Sequence, residues 1–138
     1  MSAERKTILV AEDDSVIREL LSEMLKTAGY DLLTATDGVE AVESFKNNGQ
    51  KVHLIITDIG MPRMNGIQAV LFIRSMSQSV PIIILSIWEE HSYMKIAKQV
   101  KVREFMKKPF DVHELINKVR ETLLNEPPPE AATVTVAA

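Results

Sequence analysis

Thr7-Ile8-Leu9-Val10-Ala11-Glu12-Asp13-Asp14 is the segment on which the reading of the fold turns. Ile8 to Ala11 are apolar without alternation, as expected of a strand covered on both faces. The run stops abruptly on three consecutive carboxylates. Val16, Ile17, Leu20, Leu21, Met24, Leu25 and Ala28 then recur at helical spacing, and Gly29 supplies a C-terminal stop. A buried strand, an acidic loop and an amphipathic helix follow one another within 23 residues, numbered 7 to 29.

The same unit recurs downstream. Tyr30 to Thr36 reads as a second strand, and Asp37-Gly38 opens a helix with Val39, Ala41, Val42 and Phe45 on one side. Val52 to Thr57 is a third strand, followed by a loop punctuated by Pro62 and Gly66. Asn65 caps a third helix carrying Ile67, Val70, Leu71 and Ile73. Val80 to Leu85 is the strongest strand signal. A fourth helix is expected over about Glu89 to Val100, and a fifth strand over Val102 to Met106. Asp111, with Glu114 three residues on, forms a capping box for a last helix whose Leu115, Ile116, Val119 and Leu123 face inward. Five strands alternating with five helices predict a parallel sheet with helices on both faces and one reversal of strand order.

Composition narrows the class. The 138 residues are 46% hydrophobic and 25% charged, which fits a single globular domain. With no cysteine there is no disulfide framework, thiolate metal site or cysteine nucleophile. The net charge of −3 disfavours nucleic acid or an anionic membrane as a direct partner. The longest apolar run, Val80 to Trp88, is interrupted by Pro81 and Ser86 and is far short of the ~20 residues a membrane helix needs. The first six residues lack the apolar core of a signal peptide, so a cytoplasmic location is expected. Residues 5–125 are read as one domain, and 126–138, with Pro127-Pro128-Pro129, as a disordered Pro/Ala-rich tail or linker stub.

In doubly wound folds ligands bind beyond the carboxyl ends of the strands. There the sequence places Glu12-Asp13-Asp14, Asp58, Ser86 and Lys107-Lys108-Pro109. Several carboxylates at one rim repel one another, and burial makes this worse. A hard divalent cation such as Mg²⁺ removes the conflict, and a lysine removes part of it. An acidic pocket with one cation, one ammonium and one hydroxyl suits a phosphoryl group. The acids at 12–14 also favour the N-terminus of the following helix, and Asp14 or Ser15 serves as its cap. Of the three acids at 12–14, only Glu12 and Asp13 are therefore left as candidates for metal. His53, His91 and His113 fit no ligand spacing and are read as structural.

These segments, with Thr36-Asp37-Gly38, Ile55 to Gly66, Pro81 to Ser86 and Phe105 to Phe110, resemble the response-regulator receiver domain of two-component signalling. The resemblance implies an α/β, flavodoxin-like, doubly wound (βα)5 fold, its five-stranded parallel sheet in the order 2-1-3-4-5 with helices on both faces. It implies that Asp58 is the phosphoacceptor. Asp13 would ligate Mg²⁺ directly and Glu12 through water, with Asp58 and the backbone carbonyl of Gly60 as further ligands. Lys108 would pair with Asp58 or its phosphate, Ser86 would be the switch hydroxyl, and Phe105 the switch aromatic. The Lys108–Pro109 peptide would be cis. The implied partners are a sensor histidine kinase or phosphotransfer protein, and a downstream target or an output domain lying outside this sequence. The target would meet the face made by the fourth helix, fifth strand and fifth helix. Homodimerisation on phosphorylation follows by family analogy.

Three positions depart from the family pattern. Ile87, where a small residue is usual, is bulky and is followed by Trp88; slower entry of phosphodonors, or a solvent-facing Trp88, is expected. Lys101-Val102 replaces the usual Gly-Ala. If that helix end needs a left-handed residue, Lys101 costs about 1 kcal/mol relative to glycine, and a fourth helix that is irregular, shifted or mobile is expected. Gly60 stands where a side chain often lies near the water that dephosphorylates. Two other classes compete with the signalling switch. One is a non-phosphorylated interaction module that keeps the fold, against which the intact Glu12, Asp13, Asp58, Ser86 and Lys108 stand. The other is an aspartyl-phosphate phosphatase, which needs a second acid where Gly60 lies.

Overall fold

A computed structural model of the chain describes residues 5–87 and 91–125. Five strands alternate with five helices: β1 (Thr7–Ala11), α1 (Ser15–Thr27), β2 (Asp31–Ala35), α2 (Gly38–Asn48), β3 (Val52–Asp58), α3 (Gly66–Met76), β4 (Ile82–Ser86), α4 (His91–Gln99), β5 (Glu104–Lys107) and α5 (Val112–Asn125). A single 3-10 turn, Gly49–Lys51, joins α2 to β3. The strands form one sheet in the order β2-β1-β3-β4-β5, and every pairing is parallel. The α/β doubly wound fold expected from the sequence is the fold observed.

Strand alternation divides the interior in two. Leu9, Ile55, Ile82 and Ile84 point to one face, where they meet Ala41 and Phe45 of α2, Val70 and Ile73 of α3, and Ala97 of α4. Ile8, Val10, Leu54, Ile56, Ile83 and Leu85 point to the other, against Leu21 and Leu25 of α1 and Leu115, Val119 and Leu123 of α5. The division follows from right-handed crossovers. From β1 to β2 the chain moves one way along the sheet, and from β2 to β3, β4 and β5 it moves the other, so their helices fall on opposite faces. Each fully buried Leu or Ile contributes up to about 2 kcal/mol, so these strands dominate the stability. Val16 and Leu20 follow the helical spacing of α1 but lie on its exposed side.

The capping residues match expectation, and of the box expected at α5 the Asp111 half forms. Asp14 accepts the N–H groups of Val16 and Ile17 at the start of α1. Asn65 and Gln68 close a reciprocal capping box at α3. At α5, Asp111 accepts from His113 and Glu114. The Lys108–Pro109 peptide is cis.

Some boundaries differ from the sequence reading, and three have identifiable causes. Tyr30 was expected in β2, but its N–H closes α1 on the carbonyl of Leu25, while Gly29 bonds Lys26 from a left-handed conformation of φ 105°. Val102 was expected in β5, but its N–H closes α4 on Ala97, while Lys101 bonds Lys98 at φ 60°. Both are Schellman closures, which use the residue after the left-handed one to satisfy helix carbonyls. Val80 is excluded from β4, its carbonyl being taken by Arg74. Among the described residues α4 begins at His91; Trp88, Glu89 and the tail 126–138, with the readings made of them, lie outside those described.

The C-terminal end of α4 does need a left-handed residue, Lys101, and it closes regularly rather than irregularly. Its closing bonds match those of α1, and the departure is confined to the backbone of Lys101, where α1 has glycine. Lys101→Gly should therefore raise stability by about 1 kcal/mol. In urea unfolding we expect a higher midpoint with an unchanged slope; an unchanged or lower midpoint would show that Lys101 carries no strain.

Candidate functional site

Register brings the site together. Ala11 pairs with Thr57, so Glu12 lies level with Asp58. Asp58 in turn pairs with Leu85, and Ser86 with Lys107. The residues that follow β1, end β3 and β4, and follow β5 therefore share one rim, as the parallel sheet requires.

At this rim one carboxylate oxygen from each of Glu12, Asp13 and Asp58 lies within 4.8 Å of the others. Lys108 Nζ bridges two of them, donating to Glu12 Oε1 at 2.6 Å and to Asp58 Oδ2 at 3.2 Å. The other oxygens of Glu12 and Asp58 accept backbone N–H groups, Asp14 to Glu12 Oε2 at 3.2 Å and Ile59 to Asp58 Oδ1 at 2.8 Å. Glu12 is only 1% exposed, whereas Asp13 is open to solvent. Burial pushes the Glu12 carboxyl up to about 7; Lys108 opposes this and the Asp58 charge adds to it. Burial alone would lower Lys108, but its bond to Glu12 and the charges of Asp58 and Glu12 hold it above its ordinary value.

The donor set is made of hard carboxylate oxygens from three residues, and one ammonium leaves it with a surplus of negative charge. That chemistry fits Mg²⁺. Glu12, Asp13 and Asp58 would hold the ion.

Ser86 is buried at the end of β4, and its carbonyl accepts the N–H of Lys108 at 2.7 Å. Phe105 is half-buried against the α2–α3–α4 core, level with Ile84. Gly60 is exposed two residues beyond Asp58. Ile87, immediately after Ser86, is 61% exposed. His53 accepts the backbone N–H of Thr7, in keeping with a structural role.

Other residues fix the Asp58 loop and were not picked out by sequence reasoning. A Cβ on Gly66 would fall on the Asp58 carbonyl oxygen, which also accepts the hydroxyl of Thr57. A Cβ on Gly38 would fall on the carbonyl of Met64, to which Gly38 N–H donates. Arg63, at φ 64°, donates to Asp37 Oδ2 at 2.7 Å. That contact, aided by the Glu40 N–H, holds the Asp37 carboxyl below the usual carboxylate range. Asn65-Gly66 after the acid and Asp37-Gly38 at a helix start were visible signals, but their contact was not.

Two outcomes test this geometry. Gly66→Ala should cost roughly 2 kcal/mol or more, because backbone must move to admit the methyl; a loss below a few tenths would show that the loop is not tightly held. In chelator, the folded chain holds a proton on Glu12 that the unfolded chain releases. Stability should therefore fall as pH rises from about 4.5 to about 7, and Glu12→Gln should flatten that slope. A wild-type profile that rises throughout this window would contradict the raised Glu12.

This site and fold have counterparts among known proteins. The model of the response regulator receiver domain matches residues 8–120. Response regulator MprA of Mycobacterium sp. (strain KMS) is 32% identical over 123 residues, covering 89% of this chain and 53% of that protein. Transcriptional regulatory protein PdtaR of Mycobacterium tuberculosis (strain CDC 1551 / Oshkosh) is 36% identical over 112 residues, 80% of this chain and 53% of that one. The chain thus spans about half the length of these relatives. Among solved structures, chemotaxis protein CheY4 of Vibrio cholerae aligns with a TM-score of 0.80 at 29% identity, covering 87% of this chain and all of that one. A CheX–CheY–BeF3–Mg complex from Borrelia burgdorferi gives 0.79 at 25% identity, over 84% and 87%. With its sheet order, its acidic rim and these likenesses agreeing, the chain belongs to the response regulator receiver domain family.

Proposed function

We propose that the chain is a phosphoacceptor switch in which Asp58 takes a phosphoryl group from the phosphohistidine of a histidine kinase or phosphotransfer protein. The observation that carries this reading is the convergence of Glu12, Asp13 and Asp58 within 4.8 Å of one another, two of them bonded to the ammonium of Lys108. An Asp58 oxygen forms a bond to phosphorus as the phosphorus–nitrogen bond breaks, and the imidazole leaves with the electron pair. Glu12, Asp13, Asp58 and the Gly60 carbonyl would hold Mg²⁺, which when bound would offset negative charge on the carboxylate and the incoming oxygens. Lys108 moves its bond from the Asp58 carboxylate to the phosphate, while Ile59 N–H keeps Asp58 oriented.

The added charge attracts the hydroxyl of Ser86, and Phe105, level with Ile84 on the neighbouring strand, turns inward as Ser86 moves. The surface of α4, β5 and α5 then changes shape for a downstream protein, an attached output domain or a second copy of the chain. The Borrelia complex, which contains Mg and BeF3 together with CheY, supports the metal and anion chemistry by analogy.

Acetyl phosphate tests the reading without a cognate kinase. With Mg²⁺ present, intact-mass measurement should show the wild type gaining one phosphoryl group. Asp58→Asn should gain none, and chelator should abolish the gain. A folded wild type that gains nothing would sink the proposal and leave the chain as a non-phosphorylated docking module.

A further inference from the structure

The acidic loop sits under a cation that the proposed chemistry does not use. Arg18 lies one turn into α1, and its Nη1 donates to the carbonyl of Glu12 at 2.8 Å and to that of Asp13 at 3.3 Å. A positive side chain near a helix N-terminus opposes the helix dipole, so its place needs another source of stability. The two charge-assisted bonds to the loop supply it. The backbone of Arg18 is itself fixed, its N–H on Asp14 and its carbonyl accepting the Ser22 hydroxyl.

On the reading of the rim as a Mg²⁺ site, we propose that Arg18 is a positioning residue for the metal. It touches neither the ion nor the phosphoryl group. Bonds to the carbonyls of residues 12 and 13 restrain the two peptide planes from which those carboxylates project. Glu12 is additionally held by Lys108 and by Asp14 N–H, and its own N–H donates to Ala35. Asp13 is solvent-exposed and therefore depends more on the backbone beneath it. The device acts against simple electrostatics: a guanidinium beside the pocket repels a divalent cation, while its hydrogen bonds order the ligands that bind one. The two effects have opposite signs, which makes them separable.

Calorimetric titration of Mg²⁺ into the 138-residue chain should show Arg18→Met binding roughly tenfold more weakly than wild type, although a positive charge has been removed. Arg18→Lys, which keeps donors and charge, should recover part of the loss. In the metal-free proteins, amide exchange at Asp13 and Asp14 should be faster in Arg18→Met, while β3 amides stay protected and report an intact fold. Equal or tighter Mg²⁺ binding by Arg18→Met would overturn the assignment, as would unchanged exchange in the loop. A wild type that binds no Mg²⁺ would overturn the metal reading and this role together. Binding by wild type with no loss in Arg18→Met would remove the role of Arg18 alone.

Discussion

Three carboxylates share one end of this sheet with a single ammonium, and the local structure follows from that imbalance. Glu12 is out of water and Asp58 nearly so, a position that two like charges tolerate only with a cation between them. Lys108 fills that place, its bond to Glu12 being shorter than its bond to Asp58. Whether Glu12 is ionised or carries the proton that burial favours, one ammonium is outnumbered by the acids around it, which leaves the rim short of cation. The rim thus keeps an electrostatic demand, which a divalent ion would meet and which binding of a phosphoryl group would alter again.

Such a rim needs a scaffold that does not relax away from it. Asp58 is held from below by its place in β3, between β1 and β4, and from above by a loop pressed against its carbonyl by Gly66. The same loop is clasped to α2 through Gly38 and Met64, and through Arg63 and the buried carboxylate of Asp37. These contacts join the α2–α3 side of the molecule to Asp58 without adding charge to the pocket, since Arg63 and Asp37 balance one another.

Two further arginines act on carbonyls, a use that leaves acidic side chains free for the rim. Arg18 fixes the acidic loop. Arg74, buried at the opposite end of α3, donates to the carbonyls of Val100, Ser77, Val80 and Lys101, and burial pulls it down to about 10. Its bonds tie the end of α4 to the start of β4. The left-handed Lys101 lies within this tie, which gives a physical reason why a residue other than glycine is held there in a regular helix closure.

The βα alternation, the apolar strands, the capping residues Asp14, Asn65 and Asp111 and the chemistry of Glu12, Asp13, Asp58 and Lys108 were all legible in the chain, because each depends on neighbours a few residues away or on side-chain type. Resemblance added the sheet order and the pairing of roles. The limits of β2 and β5 were not legible, because Tyr30 and Val102 are equally good strand residues and only the closing of α1 and α4 assigns them elsewhere. Nor were the partnerships of Arg18, Arg63 and Arg74, since a guanidinium on an amphipathic helix or in a loop looks the same whether it meets solvent or a carbonyl. Local pattern determined which elements form and which charges they carry. Parallel register and the approach of distant backbone, at Gly66 on Asp58 and Gly38 on Met64, decided that those charges meet, because contact across tens of residues depends on how the sheet and its loops pack in three dimensions.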